Sequence, residues 1–112
     1  MKKLKLKLSA RGGINRLLNE IYSRGGLDLA GITRAQKLIE KIKIDNKELK
    51  DIGAIEVGNG QWNWKEDKDV EKDFEFSEDE AKMIKEAIVK KEKASGFGIS
   101  DMYAIGLKEQ LE

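Results

Sequence analysis

Apolar and polar residues alternate at the start of the chain and then follow a helical spacing. In the stretch KLKLKL, leucine and lysine take turns, which predicts a half-buried strand over residues 2–8. We expect Gly12 and Gly13 to end this strand. Apolar residues between Ile14 and Ile21 then recur at every third or fourth position, which predicts a first helix that stops at Gly25–Gly26.

A second helix is predicted by an apolar stripe that begins at Leu29 or Ile32 and ends at Ile42. A short third helix follows Asp45, whose carboxylate can cap the first free amides while Glu48 reaches back in a capping box. We expect each of these helices to bury one face.

Further along the chain the same capping pattern recurs. Ser77 and Glu80 form a second candidate capping box and predict a fourth helix that runs to about Ala94. Ser100 is expected to open a last short helix through Leu107, after the hinge sequence SGFG.

Between the third and fourth helices the chain reads IEVGNGQWNW, residues 55–64. Apolar residues alternate on both sides of Gly58-Asn59-Gly60, which predicts a tight β-hairpin. A hairpin of two strands needs a covered face in water. We therefore favour Trp62 and Trp64 as core residues over a base-stacking platform, because the residues that follow are mostly acidic.

Together these elements predict one α+β domain over residues 1–112. A small antiparallel sheet would combine the N-terminal strand, residues 2–8, with the hairpin strands, residues 54–57 and 61–65. Residues 72–76 are a candidate further strand, and four to five helices would pack on the sheet. This order of elements is similar to that of a winged-helix domain.

Several kinds of site are excluded by composition. The chain has no Cys and no His, so zinc sites, thiol nucleophiles, disulfides and histidine acid–base chemistry are excluded. No phosphate-binding glycine motif is present, and no catalytic residues, cofactor or metal are predicted. Residues 67–78 carry acids at EF-hand-like positions, but Lys72 stands where that loop requires Gly, so we favour a solvated acidic edge over a calcium site.

Charge is distributed unevenly along the sequence. Residues 1–50 contain thirteen Lys and Arg and five Asp and Glu, a net of +8, whereas residues 51–112 contain nine Lys and sixteen acids, a net of −7. Concentrated like charges destabilise a fold, which favours a role in recognition. We predict that a partner protein with a basic surface, or a second copy of the chain, contacts the acidic residues Asp67, Asp69, Glu71 and Asp73.

A nucleic-acid-binding function is the alternative hypothesis. In a winged-helix protein the basic first half could contact phosphates through Arg11, Arg16, Arg24, Lys47 and Lys50. The third helix, which would read the bases, is under two turns long and has acidic residues beside it, so we rank this function second.

The segments GGINRLLNEIYSRGG, GQWNW, FEFSEDEAKMIKEAI and ISDMYAI resemble small uncharacterised proteins encoded by bacteriophages and prophages. The resemblance covers about residues 14–107 and rests on helix, capping and hairpin signals. It implies a small phage accessory protein and brings no catalytic residues. Together with the charge distribution, we predict a non-enzymatic protein of the cytoplasm, the host cytoplasm if it is phage-encoded, that docks on a larger protein or nucleoprotein complex through charged faces. The GFG hinge and Gly31 depart from the pattern.

Overall fold

The computed structural model describes residues 2–58 and 61–112, and its fold is α+β. The strands are β1 (Lys2–Lys7), β2 (Ile55–Gly58), β3 (Gln61–Asn63) and β4 (Glu71–Phe76). The helices are α1 (Leu8–Tyr22), α2 (Leu29–Ile42), α3 (Asn46–Asp51), α4 (Glu78–Ala94) and α5 (Tyr103–Leu111). The chain begins with strand β1, which runs directly into helix α1, and it ends with two helices, α4 and α5.

The strands form two separate antiparallel sheets, β1–β4 and β2–β3. The predicted sheet joined the N-terminal strand to the hairpin; instead β1 pairs with the candidate strand near residues 72–76. Leu4 lies opposite Phe74, and Lys2 lies opposite Phe76. Both strands carry apolar residues at alternate positions, so pairing them creates one continuous apolar face.

The hydrophobic core lies between that face and the helices. Leu4, Leu6 and Phe76 are almost completely buried. They meet apolar side chains from α1, α2, α4 and α5, among them Ile14, Leu17, Leu38, Ile42, Ile84, Ile88 and Leu107. The helical stripes predicted from the sequence therefore fill the core, except at the predicted start of the α2 stripe, where Leu29 is 82% and Ile32 is 45% exposed.

Helix α1 begins earlier than the sequence suggests, because Gly12 and Gly13 lie inside it. Leu8 and Arg11 already lie on its buried side. The position of Gly13 has a packing reason: a Cβ there would lie 2.5 Å from the Tyr103 ring. The Tyr103 hydroxyl donates a 2.9 Å hydrogen bond to the Gly13 carbonyl, so α1 and α5 are in close contact at this point.

The capping predictions are largely confirmed. Asp45 accepts a hydrogen bond from the Glu48 backbone N–H, and Ser77 and Glu80 form the complete capping box of α4. Glu48 departs from the prediction, because its carboxylate pairs with Arg11. Asn59 and Gly60, on which the hairpin turn depends, lie outside the described residues. The prediction that Ser100 opens the last helix is wrong, because α5 begins at Tyr103 with Met102 at its N-cap position.

The winged-helix arrangement is not confirmed, since β1 pairs with β4 and the hairpin forms its own sheet. The EF-hand loop, which the sequence already disfavoured for residues 67–78, does not form. Glu71–Phe76 is an extended strand that is hydrogen-bonded to β1, and it leaves no loop to wrap around an ion.

Candidate partner-binding groove

Three of the four predicted acidic contact residues lie next to basic or polar groups of the same chain. Asp69 accepts hydrogen bonds from the backbone N–H of Ser9, at 2.9 Å, and from the Ser9 hydroxyl. Asp73 lies 3.9 Å from the Lys3 ammonium group, and both side chains are more than half exposed. Glu71 is opposite Lys7 in the strand register, and Asp67 is exposed.

The hydrogen bonds of Asp69 give it a structural role that the sequence did not indicate. Helix α1 has no side-chain cap from its own N-cap residue, Lys7. The Asp69 carboxylate, sixty residues away in sequence, satisfies a free amide of the first turn and lies at the positive end of the helix dipole.

Part of the charge asymmetry is compensated within the β1–β4 sheet. The outward lysines of β1 stand opposite acids of β4: Lys3 opposite Glu75, Lys5 opposite Asp73, and Lys7 opposite Glu71. Opposite charges across an antiparallel pair stabilise the sheet modestly. The acidic segment therefore has a use inside the fold, and its predicted contact with a partner stays a prediction.

The prediction that Arg11 contacts phosphate is wrong, because this residue is only 3% exposed. Its guanidinium donates to the carbonyls of Ile42 and Lys43 and to the Glu48 carboxylate. Arg16, Arg24, Lys47 and Lys50 are exposed, as phosphate contact would require. The buried arginine holds the pKa of the Glu48 carboxyl below its ordinary value through this hydrogen bond.

A groove of about 1210 Å³ lies between the hairpin, β1, the start of α1 and the C-terminal helix. Its apolar lining comes from elements that are distant in the sequence, so no local motif indicates it. Trp62 and Trp64 line one side. Ile99 and Met102 belong to the segment that leads into α5, and Tyr103 is the first residue of that helix. The chain contains no other tryptophan.

Trp62 and Trp64 are partly buried, so the prediction that they belong to the core is wrong. They are absent from the core cluster, which β1, β4 and the helices already fill. The hairpin register places Trp62 opposite Glu56 and Ile55 opposite Asn63. Because facing residues share a side of the sheet, Ile55 lies on the side away from Trp62, where it is 69% exposed.

The α5 side of the groove combines exposed apolar residues with one fixed aromatic ring. Ile99 is 88% exposed and Met102 is 65% exposed. Burial, and then the negative charge of Asp101, raise the pKa of Tyr103 to about 12. Tyr103 is therefore neutral at physiological pH and keeps its hydrogen bond to Gly13, which fixes this side of the groove against α1.

Among the side chains that the structure describes, the charged groups that line the groove are Lys5, Lys7, Arg16, Asp69 and Glu71. The three cations form no ion pair with any side chain in the described ranges 2–58 and 61–112. Asp69 is already hydrogen-bonded to Ser9. The groove thus combines apolar side chains around the tryptophans with polar and charged ones, and its described lining carries three cations and two carboxylates.

Within the described part of the chain, no group of three or more Asp or Glu residues is placed to hold a metal ion. None of the helices that the structure describes is long and apolar enough to cross a membrane. Comparisons with protein-family models, curated proteins and solved structures find no match to this chain.

Proposed function

We propose that this protein is a non-enzymatic docking protein that binds a polypeptide segment of a partner in the groove beside Trp62 and Trp64. The observation that carries the proposal is the uncovered apolar lining. Two partly buried tryptophans share one groove with Ile99 and Met102, which are mostly exposed. Exposed apolar side chains that converge in a concave surface are typical of binding sites.

Tryptophan also suits this role energetically. Large aromatic residues dominate binding energy at protein interfaces, because they bury much surface and lose little conformational entropy. A partly covered ring keeps its geometry before binding and still has apolar surface to bury. Docking through the groove replaces the acidic face as the main contact in our proposal, since Asp69 and Asp73 already have partners within the chain.

If the protein comes from a phage or prophage, as the resemblance predicts, the partner would belong to a phage or host assembly. The phage origin of the protein stays a prediction. The acidic contact is a separate hypothesis, which a variant with Asp67→Asn and Asp73→Asn tests, because neither residue caps a helix or belongs to the described lining of the groove. Asp69 is unsuitable for that test, because its substitution would remove the cap of α1.

The test is affinity capture from the organism that encodes the protein, with three tagged forms of the chain. Met102→Glu adds a charge within the groove, and its exposed position predicts a normal fold. Val89→Glu is the matched control, because Val89 is 41% exposed on α4 and does not line the groove. We expect wild type and Val89→Glu to retain the same partner and Met102→Glu to lose it.

Equal capture by all three forms would refute the groove as the binding site. The nucleic-acid alternative is tested with the same protein by titrating duplex DNA and oligo(dT) at roughly 150 mM salt, where nonspecific phosphate contacts are weak. Tryptophan emission reports directly on the groove, since both tryptophans line it. Tight, saturable quenching by oligo(dT) would replace a polypeptide with single-stranded nucleic acid as the occupant.

A further inference from the structure

Among the described residues, four glycines lie inside helices, and two of these have a packing reason within the described part of the protein. Gly13 makes room for the Tyr103 ring, and a Cβ at Gly31 would lie 3.1 Å from both Asp28 and Leu27. At Gly12 in α1 and Gly106 in α5, a Cβ would meet no atom of the described chain within 4 Å. Both of these glycines line the groove.

Glycine inside a helix destabilises a protein relative to alanine, because the unfolded chain is more flexible. Neither Gly12 nor Gly106 has the positive φ angle that would require glycine. Their missing side chains leave bare helix backbone exposed to the groove. Such surfaces allow another backbone to approach closely.

The edge of β1 that faces α5 is closed to a further strand at Lys5. The Gln110 side chain accepts a 2.7 Å hydrogen bond from the Lys5 N–H and donates a 2.9 Å bond to the Lys5 carbonyl. Both backbone groups of Lys5 are therefore occupied. An incoming strand could not pair with β1 at this point without displacing the Gln110 amide.

We propose that the occupant of the groove is an amphipathic helix of the partner protein, with acidic residues beside its apolar stripe. This rests on the proposed docking function and names the chemistry of the partner. The apolar stripe would contact Trp62, Trp64 and Met102. Close packing would occur over Gly12 and Gly106.

Charge complementarity supports acidic flanks on that helix. Among the described side chains, Lys5, Lys7 and Arg16 line the groove and form no ion pair, although Lys5 and Lys7 stand opposite Asp73 and Glu71 in the β1–β4 register. Of the two lining carboxylates, Asp69 is already hydrogen-bonded to Ser9. Carboxylates on the incoming helix would meet these cations, and lysines would be repelled. A helix in a groove with flanking charges is a common mode of peptide recognition.

The probe is a displayed library of 18-residue peptides. Leucines at helical spacing form a fixed apolar stripe, and Glu, Lys or Ser occupies each flanking position. A helix of this length is about 27 Å long, which is comparable to the shorter dimensions of the protein, 30 and 26 Å. Peptides are selected for binding to the wild-type protein alone, and each selected peptide is then tested for binding to Met102→Glu.

We expect the selected peptides to be rich in Glu at the flanks. A synthetic copy in which Lys replaces Glu should bind about tenfold more weakly or worse, and the difference should shrink at high salt. Enrichment of lysine, or equal binding by both peptides, would overturn the proposal. So would stronger binding by a peptide of the same composition that alternates in a strand pattern.

The glycines provide an independent measurement with the selected peptide. Gly12→Ala and Gly106→Ala should each raise or preserve the melting temperature and yet weaken peptide binding about tenfold, because the added methyl group lies in the contact. Gln36→Ala, at an exposed position of α2, is the control and should leave binding unchanged. If both glycine variants bind the peptide with wild-type affinity, the proposal that the peptide helix packs closely over Gly12 and Gly106 is overturned. If no selected peptide depends on Met102, the docking function itself fails.

Discussion

The contact between Arg11 and Glu48 offers the sharpest test of how the basic and acidic residues are used inside the fold. The guanidinium is buried and donates to the carbonyls of Ile42 and Lys43 at the end of α2, as well as to Glu48 at the start of α3. It also lies 5.1 Å from the centre of the Phe74 ring. Glu48→Gln removes the negative charge and keeps the shape of the side chain.

The size of the effect follows from the burial of the two partners. Removing one partner of a fully buried ion pair costs about 3–5 kcal/mol. Glu48 is 27% exposed, and Arg11 keeps both carbonyl acceptors in the variant. We therefore expect a loss of about 1.5–3 kcal/mol, which is the range for a hydrogen bond to a charged group.

For a chain of 112 residues, an unfolding entropy of about 2.1 cal/mol/K per residue converts each kcal/mol into a shift of about 4 °C. The expected fall in melting temperature is thus about 6–12 °C. Glu78→Gln is the matched control, because Glu78 is also in the first turn of a helix, is exposed, and pairs with no cation among the described residues. It should cost less than about 1 kcal/mol.

The pH dependence gives a second, independent reading of the same contact. Arg11 lowers the pKa of Glu48 in the folded state, so the contribution of Glu48 is fully present above its ordinary pKa of 4.5 and is lost as the pH falls through the lower folded value. The stability difference between wild type and Glu48→Gln, measured by urea denaturation, should shrink between pH 7 and acidic pH. A difference that is absent at pH 7, or equally large in acid, would refute this account.

Three further substitutions test other parts of the structure. Asp69→Ala should lower the free energy of unfolding, measured by urea denaturation, by about 1–2 kcal/mol, because it removes the cap of α1. Asp67→Ala, at an exposed site, should cost almost nothing, and equal effects of the two substitutions would contradict the cap. Trp62→Ala should destabilise the protein by clearly less than the roughly 3–5 kcal/mol that is typical of a core aromatic, because the ring is only partly buried. A loss of stability of that full size in melting experiments would contradict the placement of the hairpin outside the core. Gly13→Ala should destabilise by about 1–3 kcal/mol through its clash with the Tyr103 ring, and an unchanged melting temperature would exclude the close contact of α1 and α5.

Local signals in the sequence were sufficient for much of the secondary structure. The capping pairs of α3 and α4 and the alternation of KLKLKL depend on residues within a few positions of each other. Asp45 therefore caps α3, and Ser77 with Glu80 caps α4, wherever these helices pack. The helical stripes also indicated the core, since one face of each helix must leave water.

The groove could not be predicted in this way. Its lining combines residues near the start of the chain with Trp62, Met102 and Gln110, and their proximity depends on which strands pair. Three segments with alternating apolar residues, β2, β3 and β4, could each have paired with β1. Because β4 is the strand that pairs with β1, the hairpin lies outside the core and its tryptophans are partly exposed. Sequence composition around Trp62 did not indicate the cations of the groove for the same reason, because the cations that line it come from β1 and α1.

The roles of individual charged residues were likewise decided by the tertiary structure. Arg11, Asp69 and Glu48 look like surface charges in the sequence, yet one is buried, one caps a distant helix, and one pairs with the buried arginine. A charge has no local period that reveals its partner, and its energy depends on burial and on the distance to the opposite charge. The sequence thus determined which segments are helices and strands, while strand pairing and burial, which are long-range, decided which side chains remain free to bind.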